Sequence, residues 1–578
     1  MYISRALWTN KVGKTYESIW LRESYRDQDG KVKNRNLLNL KSWTAEAIAA
    51  LEAVLDLQKN ADTPRRGRPR GSKNKNSMQS SPQTEPLLVR LEDLLIEQGP
   101  SVGALYTVST IAQRLGIIDA LGQDQQAKLA LCQICARVIE QGSRLSAVRM
   151  AQLHATASII NFEHGFTENE LYDNLEWIDQ NQQRIEDRLF ETYSQQEGHK
   201  PHLFLYDVTS SYVEGEKNEY AKFGYNRDKK KGKRQIVIGL MCDAKGMPVT
   251  VEVFDGNTQD LKTVSSQLAK IRERFGCPRI TFVGDRGMLK STSLSELSDL
   301  EISYITGITR AQVETLIRAG ILQYGLFDTT LCEVEQDGIR YIYRKNPERA
   351  KEIQYTRQSK KENIKRLLLE KNAYLSEHPK ASPEKSLKHV CEKIESLNLD
   401  KWLSASLDAE NPRRIKLIAD EEKFEEQSRL DGCYVLKTDL SREEVKKEEV
   451  HARYKDLAYV EQAFREMKME QLEIRPLHVR LKSRTRAHVL VLMLAYMITR
   501  ELGQLWKETG LTVQEGLYSL SMLTEDLLKF PNGTEIARVP APSAKNLKLL
   551  KAAGVEIPPY LFSSKVDIHT HKQTRKVS

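Results

Sequence analysis

Hydrophobic spacing divides the chain into regions of different period. Between Leu87 and Gln196 apolar residues recur at helical intervals, as in Ile111, Leu115 and Ile118, and again in Leu129, Ile134 and Val138. This predicts an α-helical region. At Leu203 the period changes. Leu203–Val208 reads as a buried strand, and Arg234–Met241 and Pro248–Phe254 as two more about a Lys245-Gly246 turn. A helix over Leu261–Phe275 places Val264, Leu268 and Ile271 on one face, and strands follow at Arg279–Gly284 and Ile302–Ile308. With a helix between those last two strands, the order is β-β-β-α-β-α-β.

On either side the pattern is more broken. The N-terminus shows two strands, Thr15–Asp27 and Lys31–Leu40, about Asp29-Gly30, whose turn chemistry suits a tight hairpin, and then a helix over Trp43–Lys59. Residues 61–86 shift to Pro, Gly, Ser, Asn, Lys and Arg, a linker composition. Beyond residue 312, Gln323–Asn346 reads as a hairpin about Asp337-Gly338, Ala350–Leu403 as charged helix, and Ile415–Thr438 as strand. Helix resumes over Val445–Lys468 and Arg484–Trp506. The predicted divisions are a small hairpin-and-helix unit (1–60), a basic linker (61–86), an α-helical domain (87–200) and the first part of an α/β core (201–312). An α+β insertion (313–445), the second part of the core (446–506) and an α-rich tail (507–578) complete them.

Composition narrows the class. With 578 residues the chain exceeds what one core serves, so several structural units are expected. Ala487–Ile498 is the most apolar stretch, too short to span a bilayer, and reads as a core helix; no membrane role is expected. The first residues lack the apolar region of a signal peptide. Seven scattered cysteines argue against a disulfide framework and for a reducing, cytoplasmic setting. Cys132 and Cys135 read as a buried helix face and not a zinc site, since no second pair exists. His488, on an apolar helix, reads as a packing histidine. A net charge of +9 favours a polyanionic partner.

The candidate chemistry is a carboxylate trio. The element order is that of the ribonuclease H-like fold, a mixed sheet with flanking helices. There the first and fourth strands are neighbours, which puts Asp207 near the end of one beside Asp285 just beyond the other. Glu461, on the later helix, would complete the cluster. Phosphodiester cleavage by two metal ions needs hard oxygen ligands of this kind, and Mg²⁺ keeps several waters, so few protein ligands per ion suffice. Tyr454, Glu461 and Lys468 are spaced by seven, which on one helix aligns a phenol, a carboxylate and an ammonium. A solvated helix face is the alternative for that stripe.

The residues around the trio resemble the DDE transposases of bacterial insertion sequences, in the superfamily with a Y-x2-R-x3-E-x6-K signature. Tyr206-Asp207-Val208-Thr209-Ser210 is similar to the family's first-Asp motif, Phe254–Asp260 to its F-x-G-N-T-x-D segment, and Val283–Met288 to its second-Asp motif. Tyr454, Glu461 and Lys468 match the signature, with Phe464-Arg465 between, but Leu457 stands where the signature has Arg, leaving that contact to Arg453 or Arg465. The resemblance implies an enzyme that binds terminal inverted repeats, cleaves the element ends and joins the 3′-OH ends to target DNA. It further implies that Asp207, Asp285 and Glu461 hold two Mg²⁺ ions (Mn²⁺ substituting), and that Tyr454, Arg465 and Lys468 position phosphates. The implied partner is double-stranded DNA, terminal and target, gripped by a homodimer on DNA, in a nucleoid-associated, prokaryotic setting, with the helical 87–200 region a candidate reader of the ends. A nuclease without strand transfer, adopted by its host, and a non-catalytic DNA-binding regulator are the rival functions; the intact trio argues against the second.

Two basic segments supply further DNA-contact candidates. Arg65–Gly71 resembles an AT-hook, whose narrow Arg-Gly-Arg-Pro core would set Arg66 and Arg68 into an A·T minor groove. Lys222–Arg234, with Lys229, Lys230, Lys231, Lys233 and Arg234, would clamp the DNA backbone beside the trio, or form a solvated loop.

Overall fold

The computed structural model describes residues 2–9, 15–26, 32–40 and 94–570, except 226, 228, 229, 231, 278, 287, 290–296, 298, 469–471, 473–476, 532 and 562–565. Met1–Leu87 and Leu88–Ser578 form separate compact units. In the first, β1 (Tyr2–Thr9), β2 (Thr15–Arg26) and β3 (Val32–Asn39) make an antiparallel sheet with Ile19 and Leu40 buried. β2 and β3 are the predicted hairpin; β1 was not anticipated. The helix expected over Trp43–Lys59 and the linker with Arg66 and Arg68 lie outside the described residues.

The second unit opens with β4 (Leu95–Ser101), a largely exposed strand absent from the helical pattern. Helices α1 (Gly103–Arg114), α2 (Gln125–Ile139), α3 (Arg144–Leu153) and α4 (Glu168–Glu197) follow. Local chemistry sets their ends. Asp124 accepts the Ala127 N–H at 2.8 Å to start α2, Thr167 and Glu170 form a capping box on α4, and Gly198 ends α4 at φ 77°. Cys132 and Cys135 are fully buried on α2, and burial pushes the Cys132 thiol up to about 12. They are core residues.

Next come β5 (Leu203–Tyr212), β6 (Gln235–Asp243), β7 (Pro248–Asp255), α5 (Leu261–Ala269), β8 (Thr281–Gly284) and β9 (Ser303–Gly307), each near its predicted place. The helix expected between β8 and β9 falls largely on residues that are not described. Beyond them lie β10 (Cys332–Gln336), β11 (Ile339–Lys345), α6 (Pro347–Glu377), α7 (Pro383–Ser396), β12 (Leu403–Leu407), β13 (Ile415–Ala419) and β14 (Cys433–Thr438). The eight-stranded mixed sheet runs β10-β11-β14-β9-β8-β5-β6-β7, with β5, β8 and β9 mutually parallel and the other pairs antiparallel. Three strands from the 313–445 stretch thus extend the main sheet, while β12 and β13 pair only with each other over a separate small core.

The predicted helix Val445–Lys468 is two: α8 (Lys447–Lys455) and α9 (Leu457–Lys468), broken at Asp456. α10 (Lys482–Leu505) is buried throughout Ala487–Ile498, as its composition required, and packs on α2, α4 and β7. Then α11 (Val513–Ser521), β15 (Thr524–Lys529), β16 (Glu535–Arg538) and α12 (Ala544–Ala553) close the chain, β15 pairing with both β16 and β4. Among the described residues no helix is long and apolar enough to cross a membrane.

Candidate active site

Sheet register brings the two aspartates together. The parallel pairing of β5 with β8 ends at Tyr206 opposite Gly284, so the next residue on each strand is Asp207 and Asp285. Asp207 is not at the strand's end, as expected, because β5 continues to Tyr212 against β6. It lies where β8 stops, and the missing neighbour opens a cavity of about 380 Å³. Glu461 enters that cavity from α9. Leu457, Val460, Ala463 and Met467 of α9 are buried, and Glu461, Phe464, Arg465 and Lys468, three, four and seven residues on, line the cavity from one face.

Each acid has a distinct setting. Asp207 Oδ1 accepts its neighbour's N–H, from Val208, at 2.7 Å. Burial pushes Asp207 up to about 7 against that bond, with the charges of Asp285 and Glu461 adding to the rise and Arg227 opposing it. Asp285 Oδ1 accepts the Arg286 N–H at 2.7 Å and the Tyr454 hydroxyl at 3.2 Å. Gly307, at the end of β9, makes that second bond possible: a Cβ there would stand 2.6 Å from the Tyr454 oxygen. Burial first, and the Asp285 charge next, raise the Tyr454 phenol, so it stays a donor.

The chemistry of this donor set fits divalent cations: three carboxylates are hard oxygen ligands, and a half-buried carboxylate beside two others needs positive charge to stay ionised. Among the described residues no three acidic, His or Cys side chains close on a single point. Two ions sharing the cavity, each completed by water, do not require that they should.

Other expected contacts divide. Tyr454 belongs to α8, not to the helix of Glu461, so the sevenfold stripe is broken; its hydroxyl reaches Asp285 instead of lining the cavity. Lys468 bonds the Thr209 hydroxyl, and Arg465 is exposed at the cavity. Leu457 is buried in the core and Arg453 is paired with Glu449, which leaves Arg465 as the guanidinium at the cavity from this helix. In the basic loop, Lys233 pairs with Glu214 at 2.7 Å, Arg234 stacks over Phe223 and donates to the Glu216 carbonyl, and Lys230 lies over the Tyr212 ring. Lys229 and Lys231 lie outside the described residues.

Three polar lining residues were not singled out from the sequence. Arg227 holds Asp260 through two bonds of 2.8 and 2.7 Å, and both face the cavity with Thr209. Thr209 and Asp260 sit in the quoted motifs and Arg227 in the basic run, so position in a motif was the available signal. Gly256 of the same segment has a packing reason: a Cβ there would fall 1.8 Å from the Gln235 carbonyl.

Comparison with known proteins gives the family. The model of the family described as "Transposase DDE domain" matches residues 198–498, and that of "IS1634 family transposase, N-terminal domain" matches residues 8–67. No curated protein matches the chain. Because the first match spans more than half of the 578 residues and includes the whole acidic cavity, the chain belongs to the DDE transposases of insertion sequences.

Proposed function

We propose that the chain cleaves DNA at the ends of its element and transfers the 3′-OH ends to target DNA, on a ribonuclease H-like core. DDE transposase domains generally use divalent metals, and the family implies DNA binding. The observation that carries the reading is the register of β5 and β8, which sets Asp207 beside Asp285, with Glu461 across the same cavity.

In this reading Asp207, Asp285 and Glu461 hold two Mg²⁺ ions, for which Mn²⁺ substitutes. Such ions supply the charge that activates a nucleophilic oxygen and stabilises a leaving one. Asp207 must be ionised to bind, and bound cations would offset the burial, and after it the neighbouring charges, that raise it. Tyr454 orients the Asp285 carboxylate through its hydroxyl, and Arg227 neutralises Asp260 in the wall of the same cavity. Arg465, with Lys468, meets the phosphates, and Lys230, Lys233 and Arg234, together with Lys229, Lys231, Arg66 and Arg68, add backbone contacts. A homodimer pairs the two ends.

The test is cleavage of a plasmid carrying the DNA that flanks the coding region, in Mg²⁺. Asp207→Ala, Asp285→Ala and Glu461→Gln each abolish nicking and joining but leave gel-shift affinity within about threefold, since phosphate contacts carry affinity. Normal nicking by Asp207→Ala would falsify the site. Nicking by the wild type with no joined product would leave a nuclease without strand transfer.

A further inference from the structure

A second cavity, of about 690 Å³, opens where α2 and the start of α3 meet the segment leading into α10. Its titratable lining, Tyr172 aside, is all basic in type: Arg137 from α2, Arg144 from α3, His478 and Arg480 from the segment, and Arg484 and His488 from α10. No carboxylate lines it among the described residues. Asp173 and Glu176 stand behind the rim and are bonded to Arg484.

Arg144 is the unusual member. It is 5% exposed, yet its polar partner is the neutral ring of His488, 3.2 Å from one terminal nitrogen, and its Nε is buried without a partner. A buried guanidinium ordinarily lies against a carboxylate, because an uncompensated charge in the interior is costly. Here burial and the charge of Arg137 both disfavour the charged form. The first turn of α3 faces the same space, Gly142, Ser143 and Arg144 all lining it, so the positive end of a ten-residue helix adds to the field.

We infer that this cavity binds a phosphodiester group of the DNA on which the chain acts, with Arg144 as its buried anchor and Arg480 at its rim. This rests on the reading of the chain as a DNA-cleaving enzyme. The two cavities have no lining residue in common but are joined by hydrogen-bonded stretches of chain. Beyond Lys468 at the acidic cavity the chain's Leu472 carbonyl accepts a hydrogen bond from Arg137, and His478 of the second cavity is ten residues on from Lys468. The loop that leaves β5, the strand of Asp207, bonds the same segment where Asn218 donates to the Val479 carbonyl at 2.7 Å. The volume exceeds that of one phosphate and takes a sugar beside it, with Tyr172 as an aromatic wall.

The experiment uses the full chain and a duplex of about 30 base pairs, with anisotropy read over a range of NaCl. Arg144→Met should weaken binding about three- to tenfold and lower the log–log salt slope by about one. Without DNA its melting temperature should hold or rise, because a buried charge without a carboxylate is removed. Arg480→Ala, at an exposed position, should weaken binding with no change in melting temperature. Unchanged affinity and slope in both variants overturn the inference, as does a melting temperature that falls in Arg144→Met while Arg480→Ala binds normally. Inorganic phosphate is compared with chloride at equal ionic strength. If it stabilises the wild type and not Arg144→Met while DNA affinity is equal in the two, the site takes a free anion and the DNA assignment fails. Asp207→Ala is the control for the underlying reading: if it nicks normally while Arg144→Met still loses affinity, the active site is wrong and this site stands.

Discussion

Single side chains carry two tests of how the acidic cavity and its surroundings work. Tyr454 is bound to Asp285 only because Gly307 leaves room for its hydroxyl. Tyr454→Phe should cost cleavage about ten- to a hundredfold, the scale of one hydrogen bond to a charged group. Gly307→Ala should cost at least as much, but add little in the Tyr454→Phe background, where the clashing oxygen is gone; additive losses in the double variant would reject the coupling. His488 offers a pH test. Burial, then the charges of Arg137, Arg144 and His478, hold it well below its ordinary value near 6.5. A histidine depressed in the fold stabilises it fully above pH 6.5 and loses that contribution as pH falls toward the folded value. The unfolding free energy should therefore drop by up to about 1.4 kcal/mol per pH unit below that point. His488→Gln should flatten this acid limb in urea titrations at several pH values, and an unchanged limb would assign the loss to other groups.

At the scale of one element, α9 has two faces with opposite tasks. Its apolar face places Leu457 in the core, so the position where the signature has Arg is a packing position here. Leu457→Arg should not restore a phosphate contact. It should lower stability by about 1–3 kcal/mol, the cost of burying a polar group without a partner. Its polar face presents Arg465, whose change to Ala should weaken DNA binding and reduce the salt slope by about one, with the melting temperature unchanged. If Leu457→Arg melted normally and bound DNA more tightly, the division of faces would be wrong. The break at Asp456 matters for the same reason, since it lets Tyr454 turn to Asp285 while Glu461 faces the cavity.

Over the larger compact unit, α10 is the centre and the α6–α7 region is peripheral. α10 packs on α2, α4 and β7, whereas Ile364, Val390, Ile394, Trp402 and Ile415 form their own cluster. Leu492→Ala, in the fully buried stretch, should destabilise by about 2–5 kcal/mol. Hydrogen exchange should then rise across α2, α4 and α10 but not across α6 and α7, because regions with separate cores open separately. A uniform rise through both would show one cooperative body.

Much of this molecule was readable before its structure. Strands β5 to β9 and the core helix α10 follow from short-range periodicity, and the motifs around Asp207, Asp285 and Glu461 are contiguous runs of residues. Local pattern serves there because each element buries a face whose spacing is written along the chain itself. The remainder depends on contacts between residues far apart. β4 reads as helix or loop until β15, more than four hundred residues later, pairs with it. β14 joins the main sheet only because β9 and β11 offer edges on either side. The break between α8 and α9 is invisible to a seven-residue spacing that fits one helix or two. Sequence alone determined which carboxylates to gather. Tertiary structure decided that the end of β8 beside Asp207 makes a cavity, and that Arg144, unremarkable on its helix, is buried facing five other basic residues.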